Sequence, residues 1–201
     1  SICRSGNSLS WRLWRLSRHI RSVRGKLPFR LWIADATGVS RYVLATDEDL
    51  YRVTSYFVKE PLTLRFIDLL QPGDVVVDVG ASMGIYSIQM ARRVSQTGLV
   101  VSVEPNLLKV ERLKKNALLN DVGRNLIVVP EAASDHISMN PPTTTIAQLL
   151  QEVPVINGRV FVKIDTDVAD VEALRGIGDC FENEQLCPHL IQIESRINDS
   201  L

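Results

Sequence analysis

The chain has 201 residues, of which 45% are hydrophobic and 23% are charged. This composition excludes a disordered or collagen-like chain, and the length allows one domain with a sizeable core. No apolar run approaches the roughly 18 residues that a membrane-spanning helix needs. The three cysteines have no metal-ligand spacing, so they predict a reducing, cytoplasmic compartment.

The net charge of zero conceals two oppositely charged parts. Residues 1–30 carry eight of the 23 basic side chains and no acidic one. The rest of the chain therefore holds the other 15 basic groups and all 23 acidic ones, a net charge of −8. Such an asymmetry is typical of a basic segment attached to an ordinary acidic domain.

A basic amphipathic helix is predicted before Pro28, because apolar residues recur there at spacings of three and four: Leu13, Leu16, Ile20, Val23 and Leu27. Three partners would suit it. The first is its own domain or a second copy of the chain, which would give a homo-oligomer. The second is an anionic membrane surface, with Trp11 and Trp14 as interfacial anchors, and the third is a nucleic acid. We favour the first, because phosphates do not offer an apolar stripe a hydrophobic partner.

The next segments predict a short β-hairpin and a helix. Residues 29–35 and 41–44 read as strands around a turn at 36–38, and residues 60–70 have helical spacing. The sequence pattern of residues 46–58 does not indicate which secondary structure they form. We expect residues 1–58 to be a lead-in of basic helix and hairpin, and residues 59–201 to be one domain.

From residue 75 onward, strands and helices alternate. Strands are predicted at 75–77, 99–103, 126–129, 160–164 and 190–193, and helices at 84–94, 106–119, 145–150 and 168–174. The strands are continuous apolar runs, as expected when both faces of a parallel sheet are buried. The alternation predicts an α/β fold with right-handed crossovers.

A glycine-containing loop follows the first of these strands, from Asp78 through Gly80 to Gly84, and opens a helix. Its Gly-x-x-x-Gly spacing disfavours NAD, and the Gly-Lys-Ser/Thr ending of a phosphate loop is absent. Glycines at this place let the backbone approach a ligand, and a helix N-terminus favours a negative group. Glu104 ends the next strand, where an acid can accept both hydroxyls of a ribose. The alternative is a tight turn between strand and helix, with Asp78 and Glu104 as solvated acids.

Several blocks of the sequence, taken in their order along the chain, resemble the FkbM family of class I S-adenosylmethionine-dependent methyltransferases. The resemblance is carried by residues 71–74, 75–88 (VVVDVGASMGIYSI), 103–106 (VEPN), 129–134 (VPEAAS), 144–150 and 161–176 (FVKIDTDVADVEALRG). It implies a Rossmann-like methyltransferase sheet with helices on both faces and S-adenosylmethionine as cofactor. It places the methionine end of the cofactor at Asp78, Gly80, Ala81, Ser82, Met83 and Gly84, the ribose at Glu104, Pro105 and Asn106, and the adenine at Glu131 and Ala132.

The chain departs from the family pattern at three positions. Ser82 stands where the family usually has Asn, and Asp167 and Val168 stand where it has Glu and Gly. The chain also stops after the fifth predicted strand, whereas a class I domain normally ends in an antiparallel pair. Two explanations stay open: either this sequence lacks terminal segments that supply these strands, or the domain is truncated.

The catalytic candidates lie after the third and fourth strands. Transfer to a hydroxyl requires alignment of the acceptor and removal of a proton. Asp165 could act as the base, as a metal ligand or as a hydrogen-bond acceptor for a sugar, and its alternative role is to cap the following helix, a role that also suits Asp167. His136 is a second candidate base. Together with Asp167 and Asp170, these residues could bind a divalent cation.

The resemblance implies O-methylation of a sugar or another small hydroxylated metabolite, in the cytoplasm or at a membrane surface. One alternative is an RNA 2′-O-methyltransferase, but its Lys-Asp-Lys-Glu tetrad would need a lysine after Lys163, where the sequence has none. Lys59 and Asp165 would suit its first two places. The other alternative is a non-catalytic module that keeps the cofactor fold and assembles through its N-terminal helix.

Overall fold

The predicted β-hairpin opens the described part of the chain. The structure is a computed structural model, and it describes residues 29–35, 37–59, 61–153, 158–166 and 169–194. The amphipathic helix predicted over 13–27 lies outside these residues. Strand β1 (Phe29–Asp35) pairs antiparallel with β2 (Gly38–Leu44), so the second strand begins three residues earlier than the pattern predicts.

Two helices follow, α1 (Asp47–Lys59) and α2 (Pro61–Leu69). The first covers the stretch that the sequence pattern does not decide. A capping box fixes its start. The Asp49 carboxylate accepts the backbone N–H of Thr46 at 2.9 Å, and the Thr46 hydroxyl accepts the N–H of Asp49 at 3.2 Å. Acidic residues in the first turn also stabilise this helix, because their negative charge interacts favourably with the helix dipole.

The remaining predicted strands and helices are present and alternate, with further short elements among them. They are β3 (Val75–Val79), α3 (Ile85–Val94), β4 (Leu99–Val103), α4 (Leu107–Leu119), β5 (Leu126–Val129), β6 (Ala132–Ala133), β7 (Ser138–Met139), β8 (Pro142–Thr144), α5 (Ile146–Glu152), β9 (Val160–Ile164), α6 (Asp170–Arg175), a 3₁₀ helix (Gly178–Glu182) and β10 (Pro188–Ile193). Sequence patterns do not predict the two- and three-residue strands β6, β7 and β8, which form a small separate sheet, or the 3₁₀ helix.

The main sheet has the order β10-β9-β3-β4-β5, and all its pairs are parallel. Every residue of β3 and β9 is buried, which explains why both strands are apolar except at Asp78 and Lys163. One core packs the hairpin and helices α1 to α4 on one face, through residues such as Ile33, Phe66 and Leu113. A second core packs α5 and α6 on the other face. The predicted Rossmann-like sheet with helices on both faces is confirmed.

The hairpin is bound to the domain by the side-chain amides of Asn116, in α4, and Asn120, the residue after α4. The backbone N–H of Val43 donates to Asn116 Oδ1, and that of Arg41 donates to Asn120 Oδ1, each at 2.8 Å. These contacts satisfy the hydrogen-bonding groups of an edge strand. Among the described residues, no helix has the length and apolar character to cross a membrane. The division of the chain at residue 58 stays a prediction.

Candidate cofactor site

A cavity of about 260 Å³ lies at the carboxyl ends of β3, β4 and β9. Its lining comes from the ends of these strands, from β6 and from two helices: Arg52, Val79, Gly80, Ser82, Val103, Glu104, Pro105, Lys109, Ala132, Ala133, Asp165, Thr166 and Ala169. A smaller cavity of about 20 Å³ shares four of these residues and adds Ala81, Met83, Ile85 and Tyr86. Ligands of open α/β sheets bind in this crevice, where neighbouring connections leave in opposite directions.

Glu104 joins the glycine loop to the start of α4. Its Oε2 accepts the backbone N–H of Ser82 at 2.9 Å, and its Oε1 accepts that of Asn106 at 2.9 Å. Each carboxylate oxygen can accept a further hydrogen bond. The carboxylate is therefore held in position at the cavity with capacity for two hydroxyl donors, as the predicted ribose contact requires.

The two glycines of the loop are needed by the packing of the protein itself. Both have left-handed backbones, with φ of 81° at Gly80 and 87° at Gly84. A Cβ atom on Gly80 would lie 1.9 Å from the carbonyl oxygen of Asp165, and one on Gly84 would lie 2.9 Å from Leu113 Cγ. At both glycines, the protein itself fills the space where a Cβ would lie, as the alternative of a tight turn between strand and helix requires. The approach of a ligand to the loop backbone stays a prediction. Gly80 nevertheless lines both cavities, whereas Gly84 does not.

The side chain of Ser82 indicates that a polar group of a ligand binds at the cavity. Its φ of 52° is left-handed, a conformation that Asn tolerates better than Ser. Its hydroxyl oxygen is buried and has no hydrogen-bond partner among the described residues. Because buried hydroxyls are normally paired, and Ser82 lines both cavities, a polar group of a ligand would complete this site.

Asp78 lies beneath the cavity and does not line it. Its Oδ2 accepts the Ser87 hydroxyl at 2.5 Å, and its Oδ1 lies 3.4 Å from the ammonium of Lys163, which is also fully buried. We expected Asp78 to face the ligand. The reason for the difference is Lys163, which lies opposite Asp78 in the β3–β9 register and supplies its counter-charge.

Asp165 lines both cavities, and its side chain is 16% exposed. Its Oδ2 lies 3.4 Å from Lys163 Nζ, so one lysine joins Asp78 and Asp165. The capping role does not fall to Asp165, because α6 starts at Asp170 and the Thr166 hydroxyl accepts the N–H of Ala169. Asp167 and Val168 lie outside the described residues.

His136 is not brought to the cavity. Its side chain is 67% exposed, and its Nδ1 lies 2.8 Å from the carboxylate of Asp135. The hydrogen bond from His136 lowers the pKa of Asp135 below its usual range. The predicted role of His136 as a base at the pocket therefore has no support in its position, since the residue lies on an exposed loop.

The other predicted residues divide between the cavity and its surroundings. Pro105 and Ala132 line the larger cavity, and Ala81 and Met83 line the smaller one. Asn106 instead caps α4, where its side chain accepts the N–H groups of Leu108 and Lys109, and Glu131 is outside the lining. Within the described ranges, no three His, Cys, Asp or Glu residues are grouped as a metal site would require.

Two cations of the cavity could not be found by sequence reasoning. Arg52 and Lys109 both line it, and both bond to Glu48 Oε1, at 3.1 and 3.0 Å. The hydrogen bond from Lys109 is the chief cause of a lowered pKa at Glu48. The cavity thus presents two cations and two carboxylates (those of Glu104 and Asp165), a set suited to a zwitterionic ligand.

Comparison with known proteins gives the family. Residues 54–174 match the model of the TRM5/TYW2 methyltransferase domain, which is more than half of the chain. The chain belongs to this family. It therefore has the fold of a class I, S-adenosylmethionine-dependent methyltransferase, and the matched region contains the glycine loop, Glu104 and Asp165. The prediction of a methyltransferase is confirmed at this level, whereas the match does not show the FkbM family.

Several solved structures are similar to the chain. A putative rRNA methylase from Clostridium thermocellum is 10% identical, with a TM-score of 0.38 over 55% of this chain and 54% of that one. The C-terminal domain of precorrin-6Y C5,15-methyltransferase from Rhodobacter capsulatus is 16% identical, with a TM-score of 0.41 over 59% and 55%. An O-methyltransferase from Bacillus cereus in complex with SAH is 12% identical, with a TM-score of 0.37 over 83% and 57%. The chain spans just over half the length of these proteins. No curated protein sequence matches it.

Proposed function

We propose that the chain is an O-methyltransferase that uses S-adenosylmethionine and acts on a sugar or another small hydroxylated metabolite. The observation that carries this proposal is the position of Asp165, whose carboxylate lies at the cavity between the glycine loop and the start of α6. The resemblance of residues 161–176 to the FkbM family supports a hydroxyl acceptor. The free cysteines Cys180 and Cys187 favour a cytoplasmic location.

The donor set of the cavity suits the cofactor. Glu104 has acceptor capacity for the two ribose hydroxyls, and Arg52 supplies a cation for the carboxylate of the methionine part. The unpartnered hydroxyl of Ser82 would bond to the same part. When bound, the cofactor supplies a methyl group on a positively charged sulfur, and an acceptor oxygen displaces that sulfur.

Asp165 has two tasks in this proposal. Its carboxylate accepts a hydrogen bond from the acceptor hydroxyl, which orients the oxygen, and it takes the proton as the oxygen is methylated. Lys163 is a positioning residue. Its ammonium lies 3.4 Å from Asp165 Oδ2 and restricts the rotation of that carboxylate.

The test measures binding and turnover separately. Asp165→Asn should keep its affinity for S-adenosylmethionine and S-adenosylhomocysteine in calorimetry, but lose about 100-fold or more in methyl transfer. The matched control is Glu172→Gln, an exposed residue of α6 outside the cavity, which should change neither quantity. The acceptor panel contains sugars, phenols and RNA oligonucleotides, with a radioactive methyl group as the label.

Three results would count against the proposal. Full turnover by Asp165→Asn would remove the base from the mechanism. Transfer to RNA alone would replace the acceptor class. A folded chain without affinity for the cofactor would favour the non-catalytic module.

A further inference from the structure

The outward face of the hairpin, which carries Arg30, Trp32, Val39, Arg41 and Val43, combines exposed apolar side chains with positive charge. In the β1–β2 register, Trp32 lies opposite Arg41 and Arg30 lies opposite Val43, so these side chains share one face. Trp32 is 65% exposed, while the alternate residues Ile33 and Tyr42 are buried in the core. Val39, on the same face, is 58% exposed, so the exposed apolar surface is larger than one side chain and is contiguous with the arginines.

A groove of about 280 Å³ runs between this face and the end of α4. It is lined by Arg30, Trp32, Val39, Arg41 and Leu119. Neither arginine side chain forms an ion pair with any described residue, and Lys115, one helical turn before Leu119, is exposed on the same side of α4. The groove therefore has apolar walls and uncompensated positive charge.

The sequence that leads into β1 is also rich in tryptophan and in positive charge. All three tryptophans of the protein, Trp11, Trp14 and Trp32, fall within its first 32 residues, and the first acidic residue is Asp35. Seven lysines and arginines precede residue 29. Their charge does not complement Arg30 and Arg41, so this segment is a poor occupant of the groove.

The partner must therefore supply both an apolar environment and negative charge. A nucleic acid supplies phosphates and stacking faces, but nothing for the aliphatic Val39 and Leu119. The interface of an anionic bilayer supplies both, because tryptophan rings settle at the headgroup level and each nearby Lys or Arg gains from the negative surface potential. We propose that the outward face of the hairpin is a docking surface for an anionic membrane.

Sedimentation of the full chain with lipid vesicles tests this surface. The chain should bind vesicles of phosphatidylcholine that contain about 30% phosphatidylserine, and it should not bind phosphatidylcholine alone. Arg30→Gln and Arg41→Gln should each weaken binding roughly fivefold, and Trp32→Ala should weaken it by a similar factor. Arg175→Gln is the matched control, because Arg175 is exposed on α6 at the opposite face of the sheet, and it should bind like the unsubstituted chain.

Three outcomes would overturn the proposal. Equal binding to both kinds of vesicle would remove the role of charge. Full binding by the three hairpin variants would assign any membrane affinity to the residues before β1 instead. Binding of a single-stranded RNA oligonucleotide without binding of vesicles would make the face a nucleic-acid surface. Because none of the substituted residues lines the cofactor cavity, calorimetry with S-adenosylmethionine should give the same affinity for all variants, and this keeps the result separate from the proposed catalysis.

Discussion

The Glu104 carboxylate accepts the backbone N–H of Ser82, 22 residues earlier in the chain, at 2.9 Å. Its other oxygen accepts the N–H of Asn106 at the same distance. A single acid at the end of β4 thus fixes the shape of the glycine loop and also lines the cavity. The proposed ribose contact would use the same two oxygens, so we expect substitutions at Glu104 to affect both the loop and cofactor binding.

Glu104→Gln should therefore weaken cofactor binding and stability together. An amide has one acceptor oxygen, so one of the two N–H groups loses its partner, at a cost of about 1–3 kcal/mol in the free energy of unfolding. The affinity for S-adenosylmethionine should fall about tenfold or more, because the ribose loses a charged acceptor. Calorimetry and urea unfolding measure the two effects. Glu111→Gln, an exposed residue of α4, is the control, and unchanged affinity in Glu104→Gln would leave Glu104 with the structural task alone.

Asp78→Asn should lower stability far more than it lowers cofactor affinity. Asp78 and Lys163 are both 1% exposed, and the substitution removes one of two carboxylates that lie 3.4 Å from the lysine ammonium. Removing one member of a buried ion pair typically costs about 3–5 kcal/mol, whereas replacing both members with apolar groups is often nearly neutral. Urea unfolding of Asp78→Asn, Lys163→Met and the double variant forms a double-mutant cycle. Additive losses in the double variant would mean that the pair is not coupled.

Asn116→Ala should loosen the hairpin from the domain. The Asn116 side chain is fully buried, and it accepts the N–H of Val43 at 2.8 Å and donates to the carbonyl of Met83 at 3.0 Å. Alanine leaves two polar groups unpaired, at about 1–3 kcal/mol each. Urea unfolding should show this loss, while the neighbouring exposed Lys115→Ala should have almost no effect. Similar stability of the two variants would show that water replaces the amide.

Sequence reasoning predicts the elements well where one physical requirement dominates. The strands Val75–Val79 and Val160–Ile164 are buried on both faces, so their apolar runs mark them directly. The helix predicted from residue 106 begins where expected, because the Asn106 side chain accepts N–H groups of the first turn. The short strands β6 to β8 have too few residues to show a period, so no pattern predicts them.

The site is predicted less completely, because the cavity collects residues that are distant in the sequence. Glu104 and Asp165 end parallel strands, and strand ends meet at one edge of the sheet, so their convergence follows from the topology. Arg52 reaches the same cavity from a helix that precedes the sheet, and its position depends on packing. The burial of Asp78 depends on Lys163 lying opposite it in the register, which a single sequence does not reveal.

Glu48→Gln should give a small loss of stability that depends on pH. The Glu48 carboxylate bonds to Lys109 and Arg52, and the lysine bond holds the pKa of Glu48 below its usual range. A carboxyl group with a lowered pKa in the folded state stabilises the fold above its unfolded pKa, and this contribution disappears as the pH falls through the lower, folded value. Because Glu48 is half exposed, the ion pairs contribute about 1 kcal/mol or less.

At pH 7, the thermal midpoint of Glu48→Gln should therefore lie up to about 4 °C below that of the unsubstituted chain. The difference should stay nearly constant down to the unfolded pKa of about 4.3, shrink as the pH falls further and vanish below the folded pKa, since both chains then have a neutral side chain at this position. Glu184→Gln is the control, because Glu184 is exposed and has no ion pair with a described residue. A difference that stays constant from pH 7 down to about 3 would assign the effect to packing and not to the charge that holds Arg52 and Lys109 at the cavity.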